Sequence, residues 1–141
     1  MPPRDTRTGG VLESMVLPAL KRGGYDYQTQ VRIGDRLGGG KHIIDVLAVD
    51  PGGRRILVSV KWQQTSGTAE QKVPFGVICL AEAVNGDRGR FDLAYLVLGG
   101  NGWKLRDFYL SGALARHLRN TERVHIVSLE DFVALANKSR L

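Results

Sequence analysis

Residues 41–75 read KHIIDVLAVDPGGRRILVSVKWQQTSGTAEQKVPF. Two arms of β-branched and apolar residues, His42–Val49 and Arg55–Trp62, flank Asp50-Pro51-Gly52-Gly53. A short linker of turn formers between such arms predicts an antiparallel hairpin. In the first arm Ile43, Asp45, Leu47 and Val49 share one face, and Ile44, Val46 and Ala48 the other. In the second, Ile56, Val58 and Val60 oppose Leu57, Ser59 and Lys61. Asp45 therefore breaks an apolar row, where a lone buried carboxylate is costly unless it is paired or holds a cation. Ser59 and Lys61 lie two residues apart, roughly 6–7 Å along the strand. Hairpin pairing brings Asp45 level with that end of its neighbour.

Beyond the hairpin, Thr68 to about Val84 reads as a helix, with Val73, Val77, Leu80, Ala81 and Val84 as its inward stripe. Thr68 with Gln71 predicts a capping box, while Pro74 weakens the helix near its start. Glu70 falls in the first turn, where the helix dipole favours negative charge. The turn Thr65-Ser66-Gly67 keeps that helix start near the strand carrying Lys61. Two carboxylates beside a lysine are the minimum for holding Mg²⁺ through oxygens and waters. Lys61 then either orients an attacking water or neutralises charge on phosphate. The plainer alternative is a cross-strand Asp45–Lys61 salt bridge, with Glu70 simply a good first-turn residue.

Upstream, residues 1–10 read as a loose tail ahead of a single domain over 11–141. Residues 11–22 have helical periodicity interrupted by Pro18 and ended by Gly23-Gly24. Tyr25, Tyr27, Thr29, Val31 and Ile33 fall on one strand parity, and Gly34–Gly40 forms a turn closing on three glycines. Downstream, Asp92–Leu98 is the continuous apolar run of a strand buried on both faces. A helix near 108–119, a strand at 123–127 and a last helix through Asn137, capped by Ser128 with Asp131, complete the chain. The order α-β-β-β-α-β-α-β-α predicts one α/β domain, a mixed central sheet flanked by helices.

With 43% apolar and 24% charged residues, the composition is that of an ordinary globule. Twenty Lys and Arg against fourteen Asp and Glu give +6, which favours a polyanion such as nucleic acid. The single cysteine, Cys79, excludes an internal disulfide and, with Ile78 and Leu80 beside it, reads as buried and inert. No apolar run approaches the roughly 18 residues of a membrane span, nor does the N-terminus carry a signal peptide's apolar stretch. A cytoplasmic protein is expected. Gly38-Gly39-Gly40-Lys41 lacks the remaining residues and following helix of a phosphate loop. His117 and His125 have no acidic partners at ligand spacing, and Trp62 reads as a packing residue.

The quoted stretch, behind a helix carrying Glu13, resembles the core of the PD-(D/E)XK nuclease superfamily. The resemblance implies that fold, with Asp45 as the metal-binding aspartate and Lys61 as the lysine of the acidic-x-Lys tripeptide. Glu13 resembles the first-helix glutamate of many members, junction resolvases included. Gln63 and Gln64 resemble a common extension of the motif toward DNA. Two positions depart from the pattern: Ile44 replaces the name-giving proline, and Ser59 replaces the acidic residue. One branch of type II restriction endonucleases has Ser-x-Lys there, with the glutamate moved to the following helix, and Glu70 is placed for that role.

The resemblance thus implies a Mg²⁺-dependent DNA endonuclease, with Mn²⁺ as substitute and Asp45 and Glu70 as metal ligands. Its catalytic set is Asp45, Lys61, Glu70, Glu13 and Gln63, and its nucleic-acid contacts are Lys41, His42, Gln64, Ser66 and Lys72. So small a core implies structure-selective, resolvase-like cutting by a homodimer, or specificity supplied by a partner protein. Two alternatives stand beside it: an inactive nuclease-fold DNA-binding or assembly module, motivated by Ser59, and a sequence-specific restriction endonuclease subunit.

Overall fold

The computed structural model describes residues 7–65, 67–86 and 89–141. Five strands form one sheet in the order β1 (Asp26–Asp35), β2 (Lys41–Val49), β3 (Arg55–Trp62), β4 (Leu93–Gly99), β5 (Val124–Ser128). The first three pair antiparallel, and β3–β4 and β4–β5 pair parallel. Each parallel step requires a crossover. Helix α3 (Ala69–Asn85) makes the first, and α4 (Arg106–Leu110) with a 3₁₀ turn, Ala113–His117, makes the second. The mixed sheet flanked by helices is the architecture expected from the sequence.

Strand alternation divides the core into two layers. Ile56, Val58, Val60 and Val97 face α2 (Leu17–Arg22) and α5 (Leu129–Asn137), packing on Val16, Leu20 and Phe132. Leu57 and Leu96 face α3, packing on Val73, Val77 and Leu80. Every residue of β4 is buried, because helices cover both of its faces.

The first helix departs from expectation in where it starts and in how it accommodates Pro18. It begins at Arg7, as α1 (Arg7–Val11), and passes through a π turn at Leu12–Val16 into α2. Pro18 has no N–H for the Ser14 carbonyl, and the chain widens one turn earlier, with Leu17 N–H donating to Leu12 O. The interruption expected at Pro18 takes the form of this π turn, and the helix ends at Arg22 before Gly23-Gly24 as expected. The expected 108–119 helix is broken by Gly112 at φ +81° into α4 and the 3₁₀ turn. Of the one-parity set on β1, only Val31 and Ile33 are turned inward, while Tyr27 and Thr29 lie exposed. Gln30, at φ +54°, lies in the strand just before them, and the pairing with β2 shifts register between Arg32 and Gly34.

Both hairpins form where the turn residues placed them. Gly38, Gly39 and Gly40 have φ of 85°, 96° and 88°, a succession that side-chain-bearing residues rarely adopt. In the second hairpin Asp50 Oδ1 accepts the Arg54 N–H at 2.8 Å while Oδ2 pairs with its guanidinium at 2.6 Å. Ser128 Oγ accepts the Asp131 N–H at 3.1 Å, capping α5 as expected. Thr68 precedes α3 in helical conformation and makes no side-chain cap; its carbonyl takes the Gln71 N–H instead.

Candidate active site

The β2–β3 ladder runs from Val49↔Arg55 to Val46↔Val58 and stops. The next residue toward the open end is Asp45, and its Oδ2 accepts the Val60 N–H at 2.7 Å. A side chain thus satisfies a backbone donor left free where the strands part. Alternation also breaks here: Ile44 and Leu47 both pack in the α3-side layer, with Val46 on the other side. The irregularity brings His42 to the same cavity as Asp45, although strict alternation sets them on opposite faces.

That cavity, about 500 Å³, lies between the parted strands and α3. Its polar lining is Arg36, His42, Asp45, Ser59, Lys61 and Lys72. Burial pushes the Asp45 carboxyl above its ordinary value, against the opposing pull of the Val60 N–H, the Lys61 charge and a hydrogen bond from Gln30. Burial pushes the Lys61 ammonium below its ordinary value; Asp45 opposes this, while Arg36 and Lys72 reinforce it. His42 is also lowered, by burial first and then by Arg36 and Lys61. Asp45 and Lys61 make no direct ion pair. One carboxylate faces three cations and an imidazole biased toward neutrality, so the cavity suits an anion.

Glu70 is placed elsewhere. It is buried and does not line the cavity. Its Oε1 accepts from Gln63 Nε2 at 3.1 Å and from the Lys104 main-chain N–H, and its carbonyl accepts from Tyr109 Oη at 2.7 Å. Gln63, also buried, donates from Nε2 to Gly102 O at 2.7 Å. A Cβ at Gly102 would lie 2.5 Å from Thr65 N, so glycine permits this loop to press against the end of β3. Glu70 and Gln63 therefore tie β3, α3 and the loop after β4 together. Burial and the Glu70 charge push the Tyr109 hydroxyl above its ordinary value.

Among the other expected contacts, Lys72 and His42 line the cavity, whereas Lys41 and Gln64 are exposed outside it. Glu13 sits exposed on the π turn, also outside. Ser66 lies outside the described residues. Sequence reasoning missed Arg36 and Gln30, because only the folded hairpin brings that turn and that edge strand to Asp45. A second hollow, about 270 Å³ between α4 and β5, is lined mostly by apolar residues and holds none of the expected site residues.

For a divalent cation the donor set is lean. Among the described residues no three of His, Cys, Asp and Glu converge. Mg²⁺ commonly uses one or two carboxylates and completes its shell with water and substrate phosphate. Asp45 fits as a single anchor of that kind.

The mixed sheet thus carries a carboxylate and a lysine at the parted end of its central hairpin, inside a cationic cavity. The chain belongs to the PD-(D/E)XK nuclease superfamily, whose domain profile matches residues 4–140. No curated protein matches. Among solved structures, a protein of unknown function is similar at 13% identity, over 80% of this chain and 54% of its own, with a TM-score of 0.48. A repair endonuclease from Pyrococcus abyssi is similar at 15% identity, over 89% and 46%, with a TM-score of 0.45. The chain spans about half the length of these structures.

Proposed function

We propose that the domain is a Mg²⁺-dependent endonuclease that hydrolyses DNA phosphodiester bonds and selects its substrate by structure. The observation that carries this reading is the Asp45 carboxylate, fixed by the Val60 N–H beside Lys61 in a cavity rich in positive charge. Asp45 would hold the cation, which when bound supplies Lewis-acid stabilisation and a more acidic water. Lys61 offsets charge developing on the scissile phosphate. Arg36 and Lys72 hold the flanking backbone, and His42 contacts a phosphate oxygen. Glu70 and Gln63 act as anchors that fix the end of β3, and so the direction of Lys61, in place of ligating directly. Cleavage of both strands then calls for two copies of the chain, a homodimer, or for a partner that supplies the second site.

The second reading is a module that binds DNA without cutting it, favoured by the single carboxylate in the cavity. Cutting of supercoiled plasmid in Mn²⁺ separates the two. The nuclease reading expects the plasmid to be cut, in one strand or both, by wild type and not by D45N or K61A, with duplex affinity lowered no more than several-fold. Wild type that binds plasmid yet leaves it closed would establish the module.

A further inference from the structure

Helix α3 carries two stripes. Val73, Val77 and Leu80 form the inward one and are buried. Lys72, Phe75, Gly76 and Cys79 form another, at i, i+3, i+4 and i+7, that lines the Asp45–Lys61 cavity. Within it Phe75 is 49% exposed, the most exposed large hydrophobic residue among those described. Across the cavity Ile43 of β2 is 45% exposed. Two apolar groups therefore stand at the rim of a cavity whose other walls carry Arg36, Lys61 and Lys72. A bare phosphate has use for the cations only. A nucleotide chain offers both parts, a phosphate for the cations and a base face for the ring. A base inside an intact duplex is already stacked on both sides and shows a protein only its edges. An unpaired base presents its face.

We infer that Phe75, with Ile43 opposite, forms a stacking subsite for an unpaired base next to the scissile phosphate. The substrates it favours are DNA with a single-stranded segment: a flap, a frayed end or a branch point. This deepens the nuclease reading and rests on it for the phosphate. The cations fix the backbone without regard to sequence, and the ring then discriminates stacked from unstacked DNA.

The test is a binding measurement on the full chain in EDTA, so that cleavage does not enter. The probes are a 12-nucleotide single strand with a central 2-aminopurine and a blunt duplex of the same length. Stacking on an aromatic ring contributes enough that F75A should bind the single strand about tenfold more weakly than wild type. Duplex affinity should stay within about twofold, because phosphate contacts are untouched, and F75W should behave as wild type. The 2-aminopurine emission should change on binding wild type and not on binding F75A. Phe75 is too exposed for its loss to threaten the fold, which circular dichroism checks. Equal affinities of F75A and wild type for the single strand overturn the subsite while leaving the nuclease reading to its plasmid assay. Binding to neither probe counts against DNA as the ligand and so against both. A shift from dimer to monomer in F75A, with single-strand affinity unchanged, assigns the face to a second copy and overturns it too.

Discussion

Asp45 and Lys61 are each held at a cost to folding, and that cost is measurable. Burial raises the Asp45 carboxyl, so between its unfolded and folded values the native state binds more protons than the unfolded chain. Stability then falls as pH rises through that window, and the penalty persists at neutral pH. For Lys61 the folded value is lowered, so its penalty is present at neutral pH and is relieved only as pH rises through the lowered value. D45N and K61M should therefore melt at the same or higher temperature than wild type at pH 7, with cleavage lost. The D45N advantage should shrink as the buffer is made acidic. Thermal melts by circular dichroism from pH 4 to 8 read this directly, and a large loss of stability in either variant would refute it. Under the proposed nuclease reading, cleavage requires a charged Lys61. The rate should consequently fall on an alkaline limb that lies below the ordinary Lys value of about 10.4. Both residues were legible in the sequence because a charge on an apolar strand row has no packing use. Arg36 was not, since a turn arginine is unremarkable until the hairpin folds it over the cavity.

At the level of elements, the decisive event is the parting of β2 from β3 beyond Val46↔Val58. The hairpin itself was readable from Asp50-Pro51-Gly52-Gly53, because turn chemistry is local. The parting was not, since it depends on Asp45 taking the Val60 N–H and on the change of alternation around it. Glu70 shows the same limit. Its first-turn position suggested a ligand, yet Gln63 Nε2 and the Lys104 N–H claim its Oε1, and both donors come from segments whose meeting depends on tertiary packing. Removing that acceptor leaves one buried Gln63 N–H unpaired, at about 1–3 kcal/mol, and strips the part-buried Lys104 N–H of its partner at a smaller cost. E70A should thus lower urea stability by roughly 2–4 kcal/mol, whereas E70Q, which keeps an acceptor oxygen, should lose less and retain cleavage within several-fold. Collapse of cleavage in E70Q at undiminished stability would instead make Glu70 a ligand. Pro18 teaches a related lesson. Its missing N–H was legible, but not that the interruption would take the form of a π turn through which Leu12, Val16 and Leu20 still pack in the core.

For the whole molecule, the +6 charge becomes informative once its location is known. Arg36, Lys61 and Lys72 sit together at the cavity, so DNA affinity should fall with salt, and K72A should reduce the slope of log K against log salt by about one. An unchanged slope would place the DNA elsewhere. The strand order gives the chain a parted hairpin end holding both Asp45 and Lys61, which under the proposed nuclease reading is one cutting site for one strand. If two copies act together, supercoiled plasmid should become linear with little free nicked intermediate. Mixing wild type with excess D45N before assembly should then yield nicked circles, because most active dimers would carry a single working site. Sedimentation at the assay concentration checks the stoichiometry independently. Nicked circles from wild type alone, with a monomer in the centrifuge, would refute the dimer. A second site supplied by a different protein would then be required wherever both strands are cut.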